Sequence, residues 1–163
     1  MSINFYAAAC QDLTNEILFG LCDDQNNTRA YIDTVDRNKW IAIVENESSI
    51  EITFTAIDNC ITILRSNGDL DSRCDGMLTY TNNIIFVELK EIRTGGWISA
   101  GIDQLKHTIS LYAANNILTD IRKRRAFLSN KKFPKFQYGH QEQMEQFKNE
   151  VNVRLIIHNT IKI

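Results

Sequence analysis

Three side chains in the stretch "CDGMLTYTNNIIFVELKEIRTGGW", residues 74–97, have the types and spacing to do chemistry together: Asp75, Glu88 and Lys90. The apolar run "IIFVELK" reads as a strand, yet it carries a glutamate and a lysine two residues apart. Residues two apart in a strand share a face. Taking Asn82-Asn83 as a two-residue hairpin loop sets Thr81 opposite Ile84, Met77 opposite Glu88 and Asp75 opposite Lys90. Asp75, Glu88 and Lys90 then stand on one face, with the two carboxylates as diagonal neighbours. Two carboxylates this close repel, so one takes up a proton or a cation sits between them. Lys90 offsets one charge, and a hard divalent ion such as Mg²⁺ or Mn²⁺ offsets the other. Such an ion polarises a phosphoryl oxygen and activates water, with Lys90 placed to orient that water. The same residues also fit a plain salt bridge from Lys90 to a carboxylate on an ordinary sheet face.

The elements that must hold this group are legible as patterns. Ile3, Tyr6, Cys10, Leu13, Ile17 and Leu21 recur at helical spacing, which predicts an amphipathic helix over residues 3–21, ended by "DDQNNT". Five strands follow, "KWIAIV", "IEITFTAI", "CITILR", "DGMLTY" and "IIFVELK", with hairpin turns expected at Asp58-Asn59 and Asn82-Asn83. After "RTGGW", the residues Ile98, Ile102, Leu105, Ile109 and Tyr112 make the buried stripe of a second helix. "RRAFLS" reads as a strand, residues 140–150 as a short helix, and "VNVRLIIHNTIKI" as one closing strand. The fold class is therefore α/β (α+β) in a single domain over residues 1–163, a length that buries a core without metals or disulfides.

Composition narrows the setting. Four cysteines, at positions 10, 22, 60 and 74, show no C-x-x-C pair and no zinc spacing. Read as unpaired thiols, they point to the cytoplasm. No signal peptide or bilayer-length apolar run is expected. The net charge of −2 hides a polarity, because "RKRRAFLSNKKFPK", residues 122–135, holds seven basic residues and no acid. That strip reads either as a footprint for phosphates, with Arg122, Arg124 and Lys132 as nucleic-acid contacts, or as a sheet edge protected by charge. Trp97, beside Gly95-Gly96, reads either as a base-stacking aromatic or as the anchor of the helix start.

The pattern Asp75-Gly76 … Val87-Glu88-Leu89-Lys90 resembles the PD-(D/E)xK nuclease superfamily, the restriction-endonuclease-like fold. The resemblance spans residues 3–130, and its specific part is 75–90. It departs in lacking the proline of the motif's name, since Arg73 and Cys74 precede Asp75, and in carrying Thr108 where one exonuclease-like branch has tyrosine. The resemblance implies a restriction-endonuclease-like core, a central mixed β-sheet flanked by helices. It implies that Asp75, Glu88 and the Leu89 carbonyl bind Mg²⁺ or Mn²⁺, with Glu16 of the first helix as a further ligand. Lys90 then positions the attacking water, and Gln104 of the second helix contacts phosphate or the site. The activity implied is hydrolysis of phosphodiesters, with DNA as the partner and a homodimer for cutting both strands. A non-catalytic nucleic-acid-binding or protein-interaction module on the same fold is the alternative.

Overall fold

The computed structural model describes residues 2–133 and 139–163. It is a mixed α/β chain built as three layers: a four-stranded sheet, a six-stranded sheet, and two helices. A 3-10 turn at Ala8–Cys10 leads into β1 (Gln11–Thr14), followed by β2 (Leu18–Cys22), β3 (Tyr31–Asp33), β4 (Ala42–Glu45) and β5 (Ile52–Ala56). Next come β6 (Gly76–Tyr80), β7 (Asn83–Lys90), α1 (Trp97–Asn115) and β8 (Lys123–Asn130). The chain ends with α2 (Gln141–Val151), β9 (Arg154–Ile157) and β10 (Thr160–Lys162). The larger sheet runs β1-β5-β6-β7-β8-β9, antiparallel up to β7 and parallel from β7 through β9. The smaller runs β10-β4-β2-β3.

Period-two alternation explains how the larger sheet separates two cores. Leu78, Ile85, Val87 and Leu89 face the smaller sheet and pack with its Phe19, Leu21 and Val44. Met77, Ile84 and Phe86 face the other way, onto Ile102, Leu105, Ile109 and Tyr112 of α1. These are four of the five stripe residues expected from the sequence, and all four are buried, while the fifth, Ile98, is half-buried. Both helices therefore lie on one face of the central sheet, and the second sheet, not a helix, covers the other. No helix of the described residues is long and apolar enough to cross a membrane.

The helix expected over residues 3–21 is not formed. That segment makes the 3-10 turn, β1 and β2, leaving Leu13 and Ile17 of the supposed buried stripe more than 60% exposed. The reason lies at Gly20. A Cβ there would sit 2.0 Å from the Trp40 ring, so the indole lies flat on the β2 backbone and Phe19 and Leu21 bury at strand spacing. "CITILR" forms no strand; Asn59 takes φ +58° in a tight turn, and beyond it stands only an isolated bridge from Leu64 to Leu70. The closing segment is two strands in different sheets. Between them, Asn159 exchanges hydrogen bonds with the Asn130 backbone at 2.9 and 3.0 Å, which turns the chain from one sheet to the other.

Cysteine usage also differs from expectation. Cys10 and Cys60 form a disulfide, with Cα atoms 5.8 Å apart, while Cys22 and Cys74 are free and buried.

A candidate carboxylate centre at the β6–β7 hairpin

The hairpin turn is Thr81-Asn82, with φ +36° and +56°, and Tyr80 pairs with Asn83. Positive φ at both central residues is the geometry of a type I′ turn. Asn83 holds it there, its side-chain amide donating to the carbonyls of Tyr80 and Thr81. The register is therefore offset by two from the one expected with Asn82-Asn83 as the loop. An offset of two keeps every side chain on its face and changes its partner. Met77 pairs with Phe86 and Gly76 with Val87, so one step on Asp75 comes opposite Glu88, where Lys90 was expected. The two acids are direct neighbours rather than diagonal ones.

Both are deeply placed, Asp75 at 6% and Glu88 at 2% exposure. The Asp75 Oδ2 accepts the Leu89 N–H at 2.6 Å. Because N–H and C=O of one extended residue point to the same strand edge, the Leu89 carbonyl lies toward Asp75 as well. Glu88 Oε1 meets Lys90 Nζ at 2.8 Å, and Lys90 Nζ donates to Gln104 Oε1 at 2.7 Å. Gln104 reaches on to the Arg73 carbonyl at 3.4 Å. Thr108, one turn along α1, donates to the Gln104 carbonyl and accepts the Cys74 N–H at 2.7 Å. So α1 clamps the chain just before Asp75 and holds the lysine two residues after Glu88.

The electrostatics follow from burial. Desolvation pushes Glu88 up to about 7, against the lowering pull of Lys90. Desolvation first, and then the charge of Glu88, raise Asp75 well above the ordinary carboxylate range. The pair resists carrying two negative charges unless a cation joins it. Glu88 Oε2 is buried and has no hydrogen-bond partner. A buried lone pair left unused in this way is costly, and a hard cation would satisfy it. Among the described residues no three His, Cys, Asp or Glu side chains are grouped to hold a metal. The donor set that fits an ion is thus two carboxylates and a main-chain carbonyl, a set that suits Mg²⁺ because it keeps several waters.

Glu16 is not part of this centre. It lies in the exposed β1–β2 loop, where its carbonyl accepts from the Asn46 side chain. The acid whose charge does reach Asp75 is Asp23, at the other end of β2, and it helps to raise the Asp75 carboxyl. Seven residues of extended chain, roughly 23 Å, separate Glu16 from Asp23. Asp58 adds negative charge near Glu88 and pairs with the Arg73 Nε at 3.0 Å. Sequence reading missed Asp23 because "DDQNNT" looked like a helix end, and no spacing rule links residue 23 to 75.

The basic strip is divided by the fold. Arg122 donates its amide to Asn82 at the turn end of the hairpin, and Arg124 bonds to the Leu118 carbonyl. Lys132 stands at the opposite end, near Lys90, within 4.0 Å of Glu91. Arg122 and Arg124 therefore stand roughly 25–35 Å of strand from Lys132 and roughly 13–20 Å from the acids, since Glu88 pairs with Leu128. The edge reading fails too, since β8 is an interior strand between β7 and β9. Pro134 and Lys135 lie outside the described residues. Trp97 opens α1 and stacks on Phe133, centroids 5.9 Å apart and planes 13° from parallel.

Comparison with known proteins brings no relative: no family model matches the chain, and no curated protein or solved structure matches it.

Proposed function

We propose that the chain is a metal-dependent nuclease with a restriction-endonuclease-like core, hydrolysing phosphodiester bonds of DNA. The observation that carries this reading is the buried Asp75–Glu88 pair, with one Glu88 oxygen unpartnered and Lys90 held beside it by Gln104. The order β5-β6-β7, α1, β8, with β8 parallel to β7, supports the core assignment. Asp75, Glu88 and the Leu89 carbonyl would hold Mg²⁺ or Mn²⁺, which supplies polarisation of a phosphoryl oxygen and a water of lowered pKa.

The chain's own groups have defined tasks. Lys90 has three N–H donors, and Glu88 and Gln104 take two of them. The third is free to orient water and to meet charge growing on the phosphate oxygens. Water oxygen bonds to phosphorus as the bridging ester bond breaks, and the leaving oxygen takes up a proton. Cutting both strands of a duplex would use a homodimer. We place the chain in the cytoplasm, where the Cys10–Cys60 disulfide would be an exception to the reduced state of thiols. Alkylation of thiols at cell lysis, followed by mass mapping, tests that placement.

The test of activity is cleavage of supercoiled plasmid, linear duplex, single strand and four-way junction with Mg²⁺ or Mn²⁺. Cleavage of any substrate by wild type, lost in Lys90→Met, supports the nuclease. Binding without cleavage of any of them favours the nucleic-acid-binding module. In that reading the 2.8 Å contact of Lys90 with Glu88 is a structural ion pair.

A further inference from the structure

A cavity of about 210 Å³ opens where the first turn of α1 meets the C-terminal ends of β8 and β9. At liquid density it would take about seven waters, at roughly 30 Å³ each. It is too large for a packing fault and smaller than the roughly 300–1,000 Å³ of a drug-sized pocket. Space of this size suits one heterocycle.

Its walls are of two kinds. Trp97 and Phe133, stacked at 13°, form an aromatic platform, with Leu128 and Ile157 lining it as well. Arg93, Thr94, His140, His158 and Asn159 supply the polar part. The His158 Nδ1 accepts the Thr160 N–H at 2.9 Å, so in the neutral ring the proton is on Nε2, a donor available to the cavity. Arg93 is exposed and has no ion pair among the described residues. Among the described residues no aspartate or glutamate lines the space. An aromatic platform, an N–H donor and an uncompensated guanidinium match a flat heteroaromatic ring joined to an anion.

Position links the cavity to the carboxylate centre. Gln104, which holds Lys90, is seven residues beyond Trp97 on α1, about 10 Å along the helix. We infer that this cavity receives the base of a nucleotide next to the scissile phosphate, stacked on Trp97 with its phosphate toward Arg93. The inference rests on the nuclease reading for the identity of the strand, and stacking makes the pocket tolerant of base identity.

The test is NMR titration of the metal-free chain, following the two tryptophan indole N–H signals, with Trp97→Phe identifying that of Trp97. The probes are deoxyadenosine monophosphate, deoxyadenosine, inorganic phosphate and a single-stranded tetranucleotide. The expected result is a saturable shift of the Trp97 signal with the monophosphate and the tetranucleotide. Arg93→Ser should weaken the monophosphate about tenfold and leave the nucleoside unchanged. A matching shift with inorganic phosphate alone would reduce the site to an anion site and overturn the base pocket. A shift with the monophosphate but not the tetranucleotide would make the occupant a free nucleotide and overturn the link to a strand. No shift with any probe overturns the proposal outright. Because no metal or cleavage enters the readout, failure of the nuclease reading and failure of the pocket are seen separately.

Discussion

The Leu89 amide donates to the Asp75 carboxylate at 2.6 Å, across the place where the β6–β7 ladder gives out. This one bond fixes Asp75 against Glu88 instead of letting it turn to solvent. It also commits a main-chain donor to a carboxylate that burial would otherwise neutralise. The centre is thus held in a geometry that its own charges oppose.

Metal should relieve that opposition. With Mg²⁺ at ten times its dissociation constant, mass action adds about 1.4 kcal/mol to wild-type stability, a rise of roughly 3–6 °C in Tm for a chain of this size. Asp75→Asn keeps an acceptor for the Leu89 amide and removes a charge, so the metal-free variant should melt no lower than wild type. Its response to Mg²⁺ should vanish. Scanning calorimetry of both proteins, with and without Mg²⁺, decides; equal shifts would mean nonspecific ion effects.

Acid titration should show the opposite slope from that of an ordinary ion pair. Glu88 is raised from 4.5 to about 7, so between these values the folded chain keeps a proton that the unfolded chain has released. Stability therefore falls as pH rises through this window and levels off above it, by on the order of 1–3 kcal/mol. Asp75, raised in the same direction, adds to the trend. Urea melts of metal-free wild type and Glu88→Gln across pH 4.5–8 isolate the effect. The difference in stability, wild type minus variant, should decline with pH, and a flat or rising difference contradicts the burial argument.

Lys90→Met keeps the length of the side chain and removes its charge. Cleavage should fall by at least about 100-fold, while the Mg²⁺-dependent rise in Tm persists. Gln104→Ala, which frees the lysine without removing it, should lower the rate about tenfold. Single-turnover kinetics at saturating DNA separate these losses from weaker binding. An unchanged rate in Lys90→Met would leave only the structural ion pair.

Division of the basic strip predicts unequal effects on binding. Lys132→Ser should lower the slope of log K against log salt by about one, as for one lost phosphate contact. Arg122→Ser and Arg124→Ser should change it by less, since they lie at the turn end of the hairpin, away from the Lys90 end where Lys132 stands. Fluorescence anisotropy at several salt concentrations measures this. Equal slopes lost at all three positions would mean that DNA follows the whole length of β8.

Much of this architecture was legible because periodicity is a local property. The α1 stripe from Ile102 to Tyr112 and the two faces of the β6–β7 hairpin are read from spacing alone, and so is the common face of Asp75, Glu88 and Lys90. Their pairing was not legible. The turn prefers Thr81-Asn82 because the Asn83 side chain caps the turn's carbonyls, a contact that competes with the wish of asparagine for positive φ at position 83. The first segment misled because helical spacing in residues 3–21 is matched by strand spacing at Phe19 and Leu21, and Trp40 decides between them from 20 residues away. Asp23 came from the other sheet and was invisible to any motif. The same holds for the clamp from Thr108 to Cys74, in which a helix meets a backbone amide 34 residues earlier.

The bond between Cys10 and Cys60 spans 50 residues and makes a closed covalent ring of the segment that carries β1 to β5. A protease that cuts once inside the ring, for instance in the exposed 24–28 loop, opens the ring without dividing the molecule. Such a nicked chain migrates as full-length protein on a denaturing gel and separates into two fragments only after a reductant is added.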